Sequence, residues 1–186
     1  EAGARAIGSA AFAELKGEFW QCLATRPYMR ARLLLAETLR ELGQDEAACG
    51  HYKAMLELNP NDNQGVRYLL LVAFLDDKKD DEAGELLARY PEDIQAIWPY
   101  ARALWLLRTE GDTPHTKAAL DEAIRVNPHV VKYLLKPESL PEDRPPHFAL
   151  GSKDEAAYVA DELIDAFEVT AGALPWLRLR AGRVSD

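Results

Sequence analysis

The side chains able to do chemistry are few in this chain, and their spacing does not favour it. Four histidines, His51, His115, His129 and His147, are scattered with no two at metal-ligand spacing. Cys22 and Cys49 do not form a CxxC pair, so neither a zinc site nor a redox motif is indicated. Asp161, Glu162, Asp165 and Glu168 share one predicted helix. A carboxylate metal site there would need a histidine or a second acidic helix, so the four read as a solvated face. The run from Asp76 to Glu82 lacks the spacing of a calcium loop and reads as a turn between helices. There is no glycine-rich phosphate loop, HExxH or GxSxG. The expectation is a non-catalytic protein with no cofactor, no metal and no catalytic residue.

Composition narrows the partners. The chain has 22 basic and 31 acidic residues and a net charge of −9. Nucleic acid and anionic membranes both reward basic surface, so neither is an expected partner. The longest apolar run, Tyr68 to Leu75, is well short of the ~20 residues a bilayer-spanning helix needs. The opening residues lack a signal-peptide pattern, and two unpaired thiols suit a reducing compartment, so a cytoplasmic location is expected. The sequence starts at Glu1 without a methionine, which is read as a piece of a longer chain with further repeats upstream. With 48% hydrophobic residues, the 186-residue chain can bury a sizeable core as one domain or one compact array.

Met29 to Pro60 sets the organisation. Leu35, Ala36, Leu39 and Leu42 form one apolar stripe at helical spacing, and Gly43 can take the left-handed conformation that ends a helix. Ala48, Tyr52 and Met55 form the facing stripe of the next helix, and Asn59-Pro60 stops it. Gly43, Asn59 and Pro60 recur as Gly111, Asn127 and Pro128, each 68 residues on. One helix pair cannot bury its apolar face alone, so neighbours must stack on it.

That offset is twice the 34-residue period of the tetratricopeptide repeat, which this stretch resembles. With Pro60 at the unit's last signature place, Gly43, Ala48 and Tyr52 match the family pattern, and Met55 stands where a small residue is usual. In the later copy Gly111, Leu120, Ala123 and Pro128 match, and Thr116 replaces the small alanine. The resemblance covers about residues 29 to 128. LNPNDNQGVRYLL (58–70), NPHVVKYLL (127–135) and GSKDEA (151–156) further resemble a bacterial family of such proteins, similar in its repeats to the eukaryotic suppressor-of-tumorigenicity proteins. This wider resemblance spans about 17 to 178 and implies no reaction.

The implied fold is all-α: a right-handed superhelical array of antiparallel helix pairs, a tetratricopeptide-like solenoid, with a C-terminal capping helix. Residues 1–186 form one solenoid domain on this reading. Residues 1 to about 9 fray, and 10–27 form a partial N-terminal repeat helix. Repeat 1 is 28–61, a shortened repeat 2 is 62–92 and repeat 3 is 93–129. Residues 130–151 hold a short helix and a proline-rich loop, and 152–180 hold capping helices. Asn61 or Asp62 caps the helix after Pro60, Thr113 caps one opening with Pro114, and Pro99 lies in a first turn. Ser152 and Glu155 form a capping box. The loop carries Pro137, Pro141, Pro145 and Pro146, with Phe148 packing it back over the repeats to narrow the groove. Trp176 anchors a last helix, and Arg178, Arg180 and Arg183 form a solvated tail.

In tetratricopeptide arrays the first helix of each unit lines the concave face. Carried onto this chain, the resemblance gives Arg30, Leu33, Glu37 and Arg40; then Gln64, Arg67, Leu71 and Phe74; then Trp98, Ala101, Trp105 and Arg108. The expected peptide-binding groove is Arg30, Gln64, Arg67, Trp98, Trp105 and Arg108. It suits an extended acidic-aromatic peptide or a C-terminal carboxylate. The opposing reading makes Leu71, Phe74 and both tryptophans core, with the arginines paired to acidic neighbours. The expected partner is a protein or peptide, and the chain a monomer or weak homodimer. The alternative function is a structural or self-associating scaffold, or a regulatory part of a longer chain.

Overall fold

The structure is a computed structural model that describes residues 2–143, 145 and 147–184. Glu1, Arg144, Pro146, Ser185, Asp186 and the side chains of Ala2, Arg183 and Val184 lie outside the described residues. The described chain is all-helical, with eleven α-helices, one short 3-10 helix and no strand. No described helix is long and apolar enough to cross a membrane. The chain divides into two compact units, 1–73 and 74–186.

The first unit opens with α1 (Ala2–Ile7) and α2 (Ser9–Glu14), separated at Gly8. Fraying was expected for α1, and a helix over 10–27 for α2. The helix stops at Glu14 because the chain is drawn away by tertiary bonds. Phe19 is fully buried, and its N–H donates to Leu58 O at 3.1 Å. The Thr25 hydroxyl bonds to Phe19 O and Cys22 O. Phe12, Phe19 and Tyr28 meet edge to face with ring centroids 4.7 to 6.0 Å apart.

Next come α3 (Arg26–Glu41) and α4 (Asp45–Leu58), packed on each other. Pro27 lies inside the first turn of α3, where its missing N–H is harmless. Gly43 takes φ 68° and closes α3. Its N–H meets Arg40 O at 2.9 Å, and Gln44 N–H meets Leu39 O at 2.8 Å, the paired bonds of a Schellman cap. Ala48, Tyr52, Met55 and Leu56 are buried on α4, against Met29 and Ala36 of α3 as the buried residues of that helix. The expected stripe on α3 is therefore turned. Ala36 is buried, but Leu35 and Leu42 are exposed.

α5 (Val66–Asp76) runs from the first unit into the second, and Val66, Tyr68 and Leu70 to Leu75 are buried along it. Leu71 and Phe74 are thus core, not groove. Asp62 caps α5, accepting Val66 N–H at 2.8 Å and Arg67 N–H at 2.9 Å. The turn after α5 is only Asp77–Lys79, shorter than the expected acidic run, because Asp80 already begins α6. Lys78 occupies the left-handed position with φ 56°.

The second unit contains α6 (Asp80–Arg89), α7 (Ile97–Glu110), α8 (Pro114–Val126), α9 (His129–Leu135), α10 (Lys153–Glu168) and α11 (Ala173–Val184). α7 packs on α6, α8 and α10, and α11 packs on α8 and α9. Pro99 sits in the first turn of α7, and the Thr113 hydroxyl accepts Thr116 N–H at 3.2 Å. Phe148 stacks on Tyr158 of α10 at 5.3 Å, so the end of the proline-rich segment is packed down. Trp176 is buried, and its indole N–H donates to Asp112 Oδ1 at 2.8 Å. Arg180 is not in a tail. It forms a two-pronged pair with Asp121 of α8.

Candidate functional site

Three of the expected groove residues belong to the second unit, where Trp98 and the Arg108 side chain are buried and Trp105 is half-buried. Trp98 is buried, with its ring edge-on to Tyr90. Trp105 donates its indole N–H to Asp80 O at 2.8 Å and lies over Gly84. A Cβ at Gly84 would come 2.7 Å from the indole, so only glycine fits this approach. The Arg108 side chain is 7% exposed and gives its donors to Thr170 Oγ1, Leu75 O and Asp80 Oδ1 at 2.7 to 3.2 Å. It bolts three segments together and offers no fork to a peptide.

The other three lie in the first unit. Arg67 is held by Asp62 at 3.0 Å and by the Tyr68 hydroxyl at 2.6 Å. Here the opposing reading, arginines paired to acidic neighbours, describes the geometry. Gln64 is half-buried, and its Oε1 is buried with no hydrogen-bond partner. Arg30 is exposed, its guanidinium 5.9 Å from the centre of the Trp20 ring.

The second unit also buries a carboxylate. Glu155 is fully buried and accepts Ala96 N–H at 3.0 Å, Asn127 Nδ2–H at 2.9 Å and Gly151 N–H at 2.6 Å. Ser152 Oγ accepts Glu155 N–H, but the Glu155 carboxylate turns inward and does not return to Ser152, so the expected capping box is half made. Tyr100 donates to Asn127 O at 2.9 Å, and burial pushes its phenol well above the ordinary range. The Glu155 carboxylate itself is buried and these three bonds account for it, with the exposed Gly151 at the cluster's edge. Its bonds tie the start of α10 to the turn before α7 and to the end of α8.

The open geometry is in the first unit. A cleft of about 650 Å³ lies between α1–α2 and α3, with His51 of α4 in its wall. Ile7, Ala11, Leu15, Pro27, Ala31 and Leu35 make it apolar. Its polar group is one cluster. Arg32 Nε donates to His51 Nδ1 at 3.2 Å, and Arg32 NH1 donates to the Tyr28 hydroxyl at 2.8 Å. The first bond requires a neutral imidazole with its proton on Nε2. Burial, reinforced by the Arg32 charge, lowers the His51 pKa and keeps it neutral. Among the described residues no carboxylate pairs with Arg32. Arg32 also lines a second cavity of about 740 Å³ beside Arg5, Phe12, Lys16 and Leu58.

Next to this cleft α3 presents a bare apolar row. Ala31, Leu34, Leu35, Thr38 and Leu42 fall on one helical face and are all exposed, Leu34 and Leu42 at 66% each. Sequence reasoning missed both the row and the cluster. Tyr28 and Arg32 are an i, i+4 pair, which was a usable signal. The His51 contact crosses between helices and leaves no periodicity. Among the described residues no group of three histidine, cysteine or acidic side chains is placed to hold a metal ion. No family model matches the chain, and neither a curated protein nor a solved structure matches it.

Proposed function

We propose that the chain is a non-catalytic interaction module, a tetratricopeptide-like solenoid of antiparallel helix pairs, that captures the apolar face of a partner protein segment on α3. The repeat reading is supported by burial that recurs at the 68-residue offset. Met29 and Ile97, Ala36 and Leu104, Ala48 and Thr116, Tyr52 and Leu120, Met55 and Ala123, and Asn59 and Asn127 are all buried. Equivalent places in each copy thus face inward, as a stacked repeat requires. Neither Cys22 nor Cys49 is in a disulfide, which favours a cytoplasmic setting.

The observation that carries the binding role is the exposed row of Leu34, Leu35 and Leu42. Large apolar side chains exposed together on one helix face mark interaction surfaces. An amphipathic helix laid along α3 would bury them. The groove expected from Trp98, Trp105 and Arg108 is replaced in this reading, because Trp98 is buried and Trp105 and Arg108 give their donors to groups of the same unit.

The test is the double variant Leu34→Glu, Leu42→Glu in capture of partners from a native lysate, beside a melting curve. Capture is expected to fall while the melting midpoint holds, and unchanged capture would sink the reading. The same row is self-complementary, so sedimentation of the pure protein decides the scaffold alternative. A wild-type dimer that the double variant converts to monomer would establish self-association instead.

A further inference from the structure

Arg32 is the polar feature of the first unit that its surroundings do not explain. Its side chain is half-buried, and two of its five N–H donors go to neutral acceptors, His51 Nδ1 and the Tyr28 hydroxyl. The remaining three have no protein acceptor among the described residues. A guanidinium withdrawn from water without a carboxylate is an unmet demand for an anion. Around it stands an apolar cleft of about 650 Å³, inside the roughly 300–1,000 Å³ range of small-molecule sites. The neutral His51 ring leaves its Nε2–H, and the Tyr28 hydroxyl its proton, as two further donors on the same wall.

We propose that this cleft binds a small amphiphilic carboxylate, a single anionic headgroup on an unbranched apolar chain of medium length. The headgroup sits on the Arg32 fork, and the chain runs along Ile7, Ala31 and Leu35. The charge argument selects a monoanion, since among the described residues Arg32 is the one cation lining this cleft and the Arg32–His51 bond requires a neutral imidazole. The planar fork matches the two oxygens of a carboxylate. The wall chemistry selects the chain, because Ile7, Ala11, Leu15, Pro27, Ala31 and Leu35 offer it no hydrogen bond from a side chain. This site shares Ala31 and Leu35 with the proposed docking row, but Leu34 and Leu42 lie outside the cleft, so the two readings can be tested apart.

Calorimetric titration of the whole chain with sub-micellar decanoate tests it, with decanol and acetate as the chain-only and headgroup-only controls. Saturable one-to-one binding of decanoate is expected, with decanol weaker by at least about tenfold and acetate silent. Arg32→Gln should weaken decanoate by about tenfold or more with helical content unchanged. Ala31→Trp, at an exposed position that lines the cleft, should block it without touching the cation. The Leu34→Glu, Leu42→Glu variant should bind decanoate as the native chain does, so the two readings fail separately. Absence of saturable binding, equal binding of decanol, or native-like binding by both Arg32→Gln and Ala31→Trp would overturn the proposal.

Discussion

In residues 74–186 a buried carboxylate, Glu155, accepts three N–H bonds, and a buried guanidinium, Arg108, is shared among a carbonyl, a hydroxyl and a carboxylate. In residues 1–73 the half-buried Arg32 meets only neutral groups, the Gln64 Oε1 meets none, and leucines stand in water along α3. Charge follows the same division. Eight basic and nine acidic residues fall in 1–73, for −1, against fourteen and twenty-two in 74–186, for −8. One unit pairs its buried Glu155 and Arg108 side chains internally and carries most of the net charge. The other keeps unmet groups around open clefts. Unmet groups cost stability, and they are what a ligand or partner can satisfy.

The largest effect should come from breaking the Glu155 network. Glu155→Ala strands Ala96 N–H, Gly151 N–H and Asn127 Nδ2–H at once. At about 1–3 kcal/mol for each orphaned buried group, a loss of about 3 kcal/mol or more is expected in urea unfolding. A loss under about 1 kcal/mol would mean that water replaces the carboxylate, and that Glu155 is not buried as described.

Gly84→Ala comes next. Alanine gains about 1 kcal/mol of helix propensity. The new Cβ meets an indole pinned by its bond to Asp80 O, with overpacking worth about 1–3 kcal/mol against it. A net loss of about 0–2 kcal/mol is expected in thermal melts, and a gain would show that Trp105 is free to move.

Surface changes on the open unit should do little to folding. Leu42→Glu, at a residue 66% exposed, is expected to shift stability by no more than about 0.5 kcal/mol. A large loss would place Leu42 in a core and blur the contrast between the two units.

The smallest signal is a titration. The His51 imidazole should show an NMR pKa below the usual ~6.5, rising partway back in Arg32→Gln because burial, the larger cause, persists. The unfolded ring takes its proton first as pH falls below ~6.5. Stability from this group is therefore full above that pH and declines until the lowered folded value is passed. Glu37, raised by burial and by Glu41, acts oppositely at more acid pH, favouring the fold as it protonates. The difference between native and His51→Gln stability curves isolates the histidine, and a flat difference would remove it from the buried cluster.

Much of the helix layout was legible, because it is written in local chemistry. Gly43 ends α3 since a left-handed residue costs glycine little, Thr113 caps α8 through its own hydroxyl, and Pro99 fits a first turn for want of an N–H. Such signals act over a few residues and need no partner. The segment after Glu14 was misread because Phe19 and Thr25 are held by Leu58 O and by nearby carbonyls, bonds that override helical periodicity.

The sequence by itself determined that the chain is helical, where most helices start and stop, and that equivalent positions recur 68 residues apart. The tertiary structure decided which face of each helix is core. Periodicity marks an apolar stripe without saying how far the helix is rotated, so Leu35 and Leu42 were read as inward and stand outward. It also decided which charges are spent. Arg67 and Arg108 are taken up by Asp62 and Asp80, while Arg32 meets only Tyr28 and His51. Whether a guanidinium finds a carboxylate depends on the distance between segments far apart in the chain. That distance is set by packing and has no signature in residue order.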